Sequence, residues 1–66
     1  MTASELRRLL RKAGAEFEDG ARHTLVTLNG KNSAIPRHPS HEIKGHLVQR
    51  IMKDLGITLD ELRRRR

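Results

Sequence analysis

The sequence predicts an α+β domain of two layers, in which helices pack on one face of a three-stranded antiparallel sheet. Amphipathic helical stretches lie towards both ends of the chain, and each terminal helix is preceded by a capping box. Between them, Asn29-Gly30 separates two strand-like runs, which is typical of a β-hairpin. We therefore expect the order α-β-β-β-α, followed by one short extra helix, with the other sheet face left open.

The first helix is predicted to begin after Thr2, because Thr2 and Glu5 can each satisfy a free amide at a helix start. Gly14 can adopt the left-handed turn that ends it. Apolar residues recur at helical spacing at Leu6, Leu9, Leu10 and Ala13. The opposite face either is solvated or contacts phosphates, and it carries Arg7, Arg8, Arg11 and Lys12.

Three short strands are expected between the helices. Residues 15–18 predict an edge strand that inserts Phe17 into the core, and residues 23–28 predict the central strand. After the Asn29-Gly30 turn, residues 32–35 predict the third strand, with Pro36 ending the pairing. Alternation places a core set on one face, namely Thr24, Val26, Leu28 and Ile35. The outer face then carries His23, Leu25, Thr27, Ala34 and, at its end, His38.

The second helix is predicted to begin near Lys44 and to end at Gly56. Its apolar stripe consists of Ile43, Leu47, Val48, Ile51, Met52 and Leu55. A second capping box, Thr58 with Glu61, predicts a short terminal helix that runs into four arginines, residues 63–66. Such a run is usually solvated, although each phosphate that it neutralised would make RNA binding more sensitive to salt.

Length and charge limit the class of protein. The chain has 66 residues, so we expect a single domain over residues 1–66. A net charge of +6 favours a polyanionic partner, either nucleic acid or an acidic protein. The absence of cysteine fits a reducing, cytoplasmic environment. No apolar stretch approaches the ~20 residues that span a bilayer, so we expect no membrane insertion.

Two motifs stand out in the sequence, namely Gly20-Ala21-Arg22-His23-Thr24-Leu25 and Ile35-Pro36-Arg37-His38-Pro39, the second followed by Glu42-Ile43-Lys44. Together they resemble the HicA toxin family. The resemblance extends from the helix with Glu5 to the helix end at Gly56. It implies a double-stranded-RNA-binding-like fold and a toxin of a type II toxin-antitoxin system that cleaves messenger RNA independently of the ribosome. It also implies neutralisation by a HicB-like antitoxin, with operator DNA contacted only through the toxin-antitoxin complex.

The resemblance assigns the catalytic role to His23. In the family, the active-site histidine commonly comes directly after a glycine and a small residue, as Gly-Ser-His. Here one extra residue, Arg22, separates the small residue from the histidine, in Gly20-Ala21-Arg22-His23. A ribonuclease without a metal must move protons at the ribose 2′-hydroxyl and the leaving 5′-oxygen, and histidine titrates in the useful range. We expect His23 to act as general base or acid. Fixed positive charge for the phosphorane is expected from Arg22, Lys31 and Arg37.

The remaining polar residues leave alternatives open. His38 is expected to contact RNA, because it falls on the same sheet face as His23. His38 and His41 stand three apart, but no third ligand lies at motif spacing, so we expect neither a metal nor another cofactor. Arg37 could pair with phosphate or with Glu42.

Two other function classes compete with the ribonuclease. One is a non-catalytic RNA-binding module of the same fold. The other is a small interaction protein whose basic surface only docks a partner.

Overall fold

The structure is a computed structural model that describes residues 1–64. Its elements are α1 (Ala3–Lys12), β1 (Glu16–Asp19), β2 (His23–Leu28), β3 (Lys31–Pro36), α2 (Gly45–Leu55) and α3 (Leu59–Arg64). The three strands form an antiparallel sheet in the order β1-β2-β3. This confirms the predicted α-β-β-β-α order with a short extra helix. Of the four terminal arginines, Arg65 and Arg66 lie outside the described residues.

Both capping boxes form as predicted. The Glu5 amide donates to the Thr2 hydroxyl at 3.2 Å, and the Thr2 amide donates to the Glu5 carboxylate at 3.2 Å. These bonds to Thr2 lower the pKa of Glu5, since they favour its charged form. Thr58 and Glu61 make the same reciprocal pair before α3. Local side-chain chemistry therefore sets where these two helices begin.

The β2–β3 hairpin turns on Asn29 and Gly30, which have φ of 52° and 79°. Leu28 pairs with Lys31, so the loop has two residues, and the register continues to His23 opposite Pro36. The third strand is longer than predicted by one residue at each end. This register places His23 beside the last residue of β3.

The hydrophobic core lies between the helices and the inner sheet face. The predicted inner-face residues Thr24, Val26, Leu28 and Ile35 are all buried. Helical residues that are at most 1% exposed meet them, namely Leu6, Leu10, Ile51 and Leu62. On the outer face Leu25 is 42% exposed. The helices therefore cover one face of the sheet only. Among residues 1–64, every helix falls short of the length and hydrophobicity that a membrane span requires.

The prediction that Phe17 inserts into the core is met only in part, since Phe17 packs against the core without being fully buried. Phe17 is half-buried at the margin of the core, because β1 is an edge strand. The guanidinium groups of Arg7 and Arg11 lie 4.8 and 5.6 Å from its ring centroid. These two arginines of α1 therefore lie against β1, and do not belong to a purely solvated face.

Candidate active site at the end of the hairpin

A tight turn between β1 and β2 fixes the backbone of His23. Asp19 pairs with Thr24, and the Gly20 amide donates to the His23 carbonyl at 2.8 Å. A Cβ atom at Gly20 would lie 3.0 Å from that carbonyl oxygen, which is closer than nearly all real contacts. A residue without a side chain therefore suits this position, and Ala21 and Arg22 form the tip of the turn.

The two predicted cations, Arg22 and Arg37, are linked through their backbones next to His23. The Arg37 amide donates to the Arg22 carbonyl at 3.2 Å, directly beyond the His23–Pro36 pair. Glu42 forms an ion pair with the amino group of Met1, and no ion pair within residues 1–64 involves Arg37. Of the two alternatives for Arg37, the pair with Glu42 is therefore not formed.

Asp19 supports this turn from the inner face. Its carboxylate accepts a hydrogen bond from the buried Thr24 hydroxyl at 2.7 Å and one from Arg7 at 3.0 Å. The Thr24 bond, and then the Arg7 bond, lower the pKa of Asp19 below its ordinary value. Asp19, which precedes the turn, thus accepts a hydrogen bond from Thr24, which follows His23. Sequence reasoning missed this support.

His23 is exposed and lines two grooves. The first, which we call the sheet groove, lies on the outer face and is lined by Glu18, Asp19, Gly20, His23, Leu25 and Ala34. The second, the edge groove, has a volume of about 260 Å³ and crosses the free edge of β3 towards α2. Its walls include Ala34 and Pro36 on β3, together with Leu47, Arg50 and Asp54 on α2.

The His23 imidazole makes no hydrogen bond with any side chain of residues 1–64. Within residues 1–64, the ring nitrogens of this exposed side chain are therefore not engaged by another side chain. A histidine in this state can accept or donate a proton at whichever nitrogen meets the substrate.

Lys31 does not join this site. It pairs with Leu28 at the opposite end of the hairpin, five residues from Pro36, a separation of roughly 16 Å along a strand. Its ammonium group lies over Gly56, where it would be 2.8 Å from a Cβ atom. The expectation that Lys31 supplies charge at the His23 phosphate is therefore wrong.

His38 lies in the loop after β3, beyond the strand residues of the outer face. Its Nδ1 accepts from the Ser40 amide at 3.3 Å and lies 2.9 Å from the Ser40 hydroxyl oxygen. Because Nδ1 is an acceptor, the neutral ring carries its proton on Nε2. The loop is anchored to the start of α1, where the Ala3 and Ser4 amides donate to the carbonyls of His41 and Pro39. His38 lines neither groove at His23.

Within the part of the chain that the structure describes, no three histidine or carboxylate side chains are grouped to hold a metal ion. His38 and His41 belong to the same turn, in which the His41 amide donates to the His38 carbonyl.

Arg50 and Asp54 were missed by sequence reasoning. The apolar stripe of α2 does not place them, but residues 47, 50 and 54 are spaced three and four apart and share a helix face. That spacing is the signal that could have placed these two charges together. Which surface they meet depends on how α2 lies along β3, where the Ser33 hydroxyl donates to Asp54 at 2.9 Å.

Comparison with known proteins decides the family. A family model described as the HicA toxin of bacterial toxin-antitoxin matches residues 3–57. The chain belongs to the HicA toxin family. The match covers α1, the sheet and α2, so the elements that form the His23 site all lie within the HicA region.

Curated HicA relatives and one solved structure agree with this assignment. The chain is 53% identical over 57 residues to "Probable mRNA interferase HicA 2" of Photorhabdus laumondii, covering 86% of this chain and 98% of the relative. It is 40% identical over 58 residues to "Probable mRNA interferase toxin HicA" of Escherichia coli K12, covering 88% and 100%. A chain in the "Crystal structure of the E.coli HicAB toxin-antitoxin complex" superposes with a TM-score of 0.76 at 40% identity, covering 83% and 96%. The family resemblance expected from the two motifs is thus confirmed.

Proposed function

We propose that this HicA-family chain is a toxin-type endoribonuclease that cleaves messenger RNA without a metal ion, with His23 as its catalytic group. The observation that carries the proposal is the exposed His23, which lines two grooves beside the linked backbones of Arg22 and Arg37. The names of the relatives, probable mRNA interferases, support the substrate class.

The reaction needs three services from the protein. A proton must leave the ribose 2′-hydroxyl as its oxygen attacks phosphorus, and another must reach the 5′-oxygen as its bond to phosphorus breaks. His23 takes the first proton or gives the second, and solvent water exchanges the other proton. Arg22 and Arg37 stabilise the negative charge that develops on the phosphoryl oxygens between these two events.

His38 and Lys31 have different places in this proposal. His38 contacts RNA from the loop after β3, with its Nε2–H facing away from Ser40. Lys31 contacts only an RNA long enough to follow the sheet to the far end of the hairpin. Neither residue touches the reacting phosphate.

The partner that silences the toxin is proposed to be a HicB-like antitoxin. The superposed HicA chain comes from a complex whose title names HicAB. A net charge of +6 favours an acidic surface on that partner, and docking over the basic hairpin end would exclude RNA. Contact with operator DNA would then occur through the complex, and we place the activity in the cytoplasm, where messenger RNA is translated.

Cleavage of a long single-stranded RNA in excess EDTA tests the proposal. Wild-type protein should cut RNA and leave a free 5′-hydroxyl on the downstream product, whereas His23→Ala should lose turnover by at least about a hundredfold. His46→Ala is the matched control, since His46 is exposed on α2 and lines neither groove at His23. It should cut like wild type.

Three results would contradict the proposal in different ways. Loss of cutting in EDTA that zinc or magnesium restores would show a metal-dependent enzyme. Equal cutting by wild type and His23→Ala would move catalysis to another residue, His38 first. Tight RNA binding with no cutting by either protein would favour the non-catalytic RNA-binding module.

A further inference from the structure

The edge groove contains two charged side chains that the proposed reaction does not use. Arg50 and Asp54 are both exposed on α2 and line the wall opposite His23 and Pro36. Among the ion pairs of residues 1–64, none joins Arg50 to Asp54, although one helical turn separates them. Both groups therefore remain available to a ligand.

Asp54 is oriented by the strand that forms the groove floor. The Ser33 hydroxyl donates to Asp54 Oδ2 at 2.9 Å, and Ser33 itself is only 9% exposed. A carboxylate oxygen has two acceptor positions, so Oδ1 and part of Oδ2 remain open to a donor from the groove. Asp54 thus presents acceptors that are fixed in direction.

The rest of the lining is apolar. Ala34, Pro36, Leu47 and Ile51 provide apolar contacts without hydrogen-bonding side chains. A cleft of apolar walls with a few directed polar groups is typical of a small-molecule binding site. The groove has a volume of about 260 Å³. Because His23 also lines it, the groove adjoins the proposed site of cleavage.

The Asp54 carboxylate determines which part of an RNA can bind in the edge groove. In a chain of net charge +6, Asp54 repels a phosphate but accepts hydrogen bonds from an exocyclic amino group of a base. Arg50 offers a planar cation on which a base can stack, or with which the neighbouring phosphate can pair. This combination fits an unstacked nucleobase with its phosphate outside the groove.

We propose that the edge groove binds the base of the nucleotide next to the cleaved phosphate, and that Asp54 selects bases with an amino group, namely guanine, adenine and cytosine, over uracil. The inference rests on the proposed ribonuclease function. Uracil has no amino group, and the two carbonyls that flank its single N–H would face the carboxylate. Asp54 and Arg50 are specificity residues in this assignment, while the proton transfers remain with His23.

The test uses short 2′-O-methyl RNA oligonucleotides that contain one free 2′-hydroxyl, so that cleavage can occur at only one position. Each of the four bases is placed in turn on either side of the cleavable bond. On one of the two sides, kcat/KM for uracil should fall at least about fivefold below that for the amino-bearing bases. Replacing guanine by inosine, or adenine by purine riboside, removes only the amino group and should cause a loss of similar size.

Protein variants assign the effect to the groove. Asp54→Asn replaces one acceptor by donors and should abolish the discrimination against uracil on that side, with cleavage retained. Asp60→Asn, on the exposed first turn of α3, is the matched control and should keep the wild-type preference. Arg50→Lys keeps the positive charge but removes the planar guanidinium on which a base can stack. It should therefore raise KM more than it lowers kcat. Circular dichroism checks that each variant is folded, and the amino-deleted bases test the proposal on wild-type protein alone.

The outcomes separate this inference from the function on which it rests. Cleavage that depends on His23 but shows no difference among bases, or a base preference unchanged by Asp54→Asn, would overturn the base-binding groove and leave the ribonuclease intact. Absence of cleavage in every oligonucleotide and in long RNA would overturn both. Loss of antitoxin binding in Asp54→Asn, with base preference unchanged, would assign the groove to the protein partner instead.

Discussion

Thr24 shows how one buried hydroxyl links the core to the candidate site. Its side chain is completely buried on the inner sheet face, where an unpaired hydroxyl would destabilise the fold. The Asp19 carboxylate satisfies it at 2.7 Å and thereby joins the two strands that flank the His23 turn. Strand alternation predicts that Thr24 faces the core, but the partner depends on the register of β1 against β2, which no short-range pattern specifies.

Thr24→Val is expected to destabilise the protein by about 1 kcal/mol, because valine matches the shape of threonine but cannot donate to Asp19. Urea unfolding at neutral pH measures this change. Thr27→Val in the same strand is the control: Thr27 is half-buried on the outer face, and its change should stay within about 0.5 kcal/mol.

The destabilisation caused by Thr24→Val should become smaller in acid. The bond from Thr24 helps to hold the pKa of Asp19 below its ordinary value of 3.8. A carboxyl whose folded pKa is lowered stabilises the fold above the unfolded value, and this stabilisation is lost as the pH falls through the folded value. The gap between wild type and Thr24→Val should therefore narrow below pH 3.8. A constant gap through that range would show that the hydroxyl does not act through the ionised Asp19.

At the scale of elements, local chemistry predicts the boundaries well and the relations between elements poorly. The two capping boxes and the Asn29-Gly30 turn depend on neighbouring residues only, and all three form as expected. The surroundings of Phe17 and the lining of the edge groove depend on which helix packs beside each edge strand. Arg7 reaches Phe17 from α1, and Arg50 reaches the groove from α2, so neither contact follows from the periodicity of a single segment.

The positive φ of Gly30 in the hairpin turn can be tested by comparing its replacement with that of Gly45, which lies outside the turn. Gly30 and Gly45 both have open space where a Cβ atom would lie, but only Gly30 has a positive φ, of 79°. Gly30→Ala should therefore cost about 1 kcal/mol in unfolding free energy from backbone strain alone. Gly45→Ala, at the first residue of α2, should be neutral or stabilising by a few tenths up to about 1 kcal/mol. Thermal unfolding compares the two, and equal losses would mean that contacts rather than φ determine the cost.

At the scale of the whole molecule, the cations of the β2–β3 hairpin are divided between its two ends. Arg22 and Arg37 lie at the His23 end, and Lys31 lies roughly 16 Å away at the turn. Under the proposed function, an RNA that reaches only the His23 site would meet the first pair, while a longer RNA would follow the sheet to Lys31. Charge that is spread in this way makes the number of phosphates bound depend on RNA length.

Salt dependence of RNA binding measures this division directly. With His23→Ala used to prevent cleavage, the logarithm of the association constant should fall linearly with the logarithm of salt concentration, by about 0.7 per phosphate contacted on a single strand. Adding Arg22→Ala or Arg37→Ala should reduce the slope by about that amount on short and long RNA alike. Adding Lys31→Ala should change the slope only on the longer RNA, because the shorter one does not reach the turn. If Lys31→Ala instead altered the slope on the shortest RNA that binds, the nucleic acid would have to cross the hairpin at its turn, and the placement of the reacting phosphate at His23 would fail.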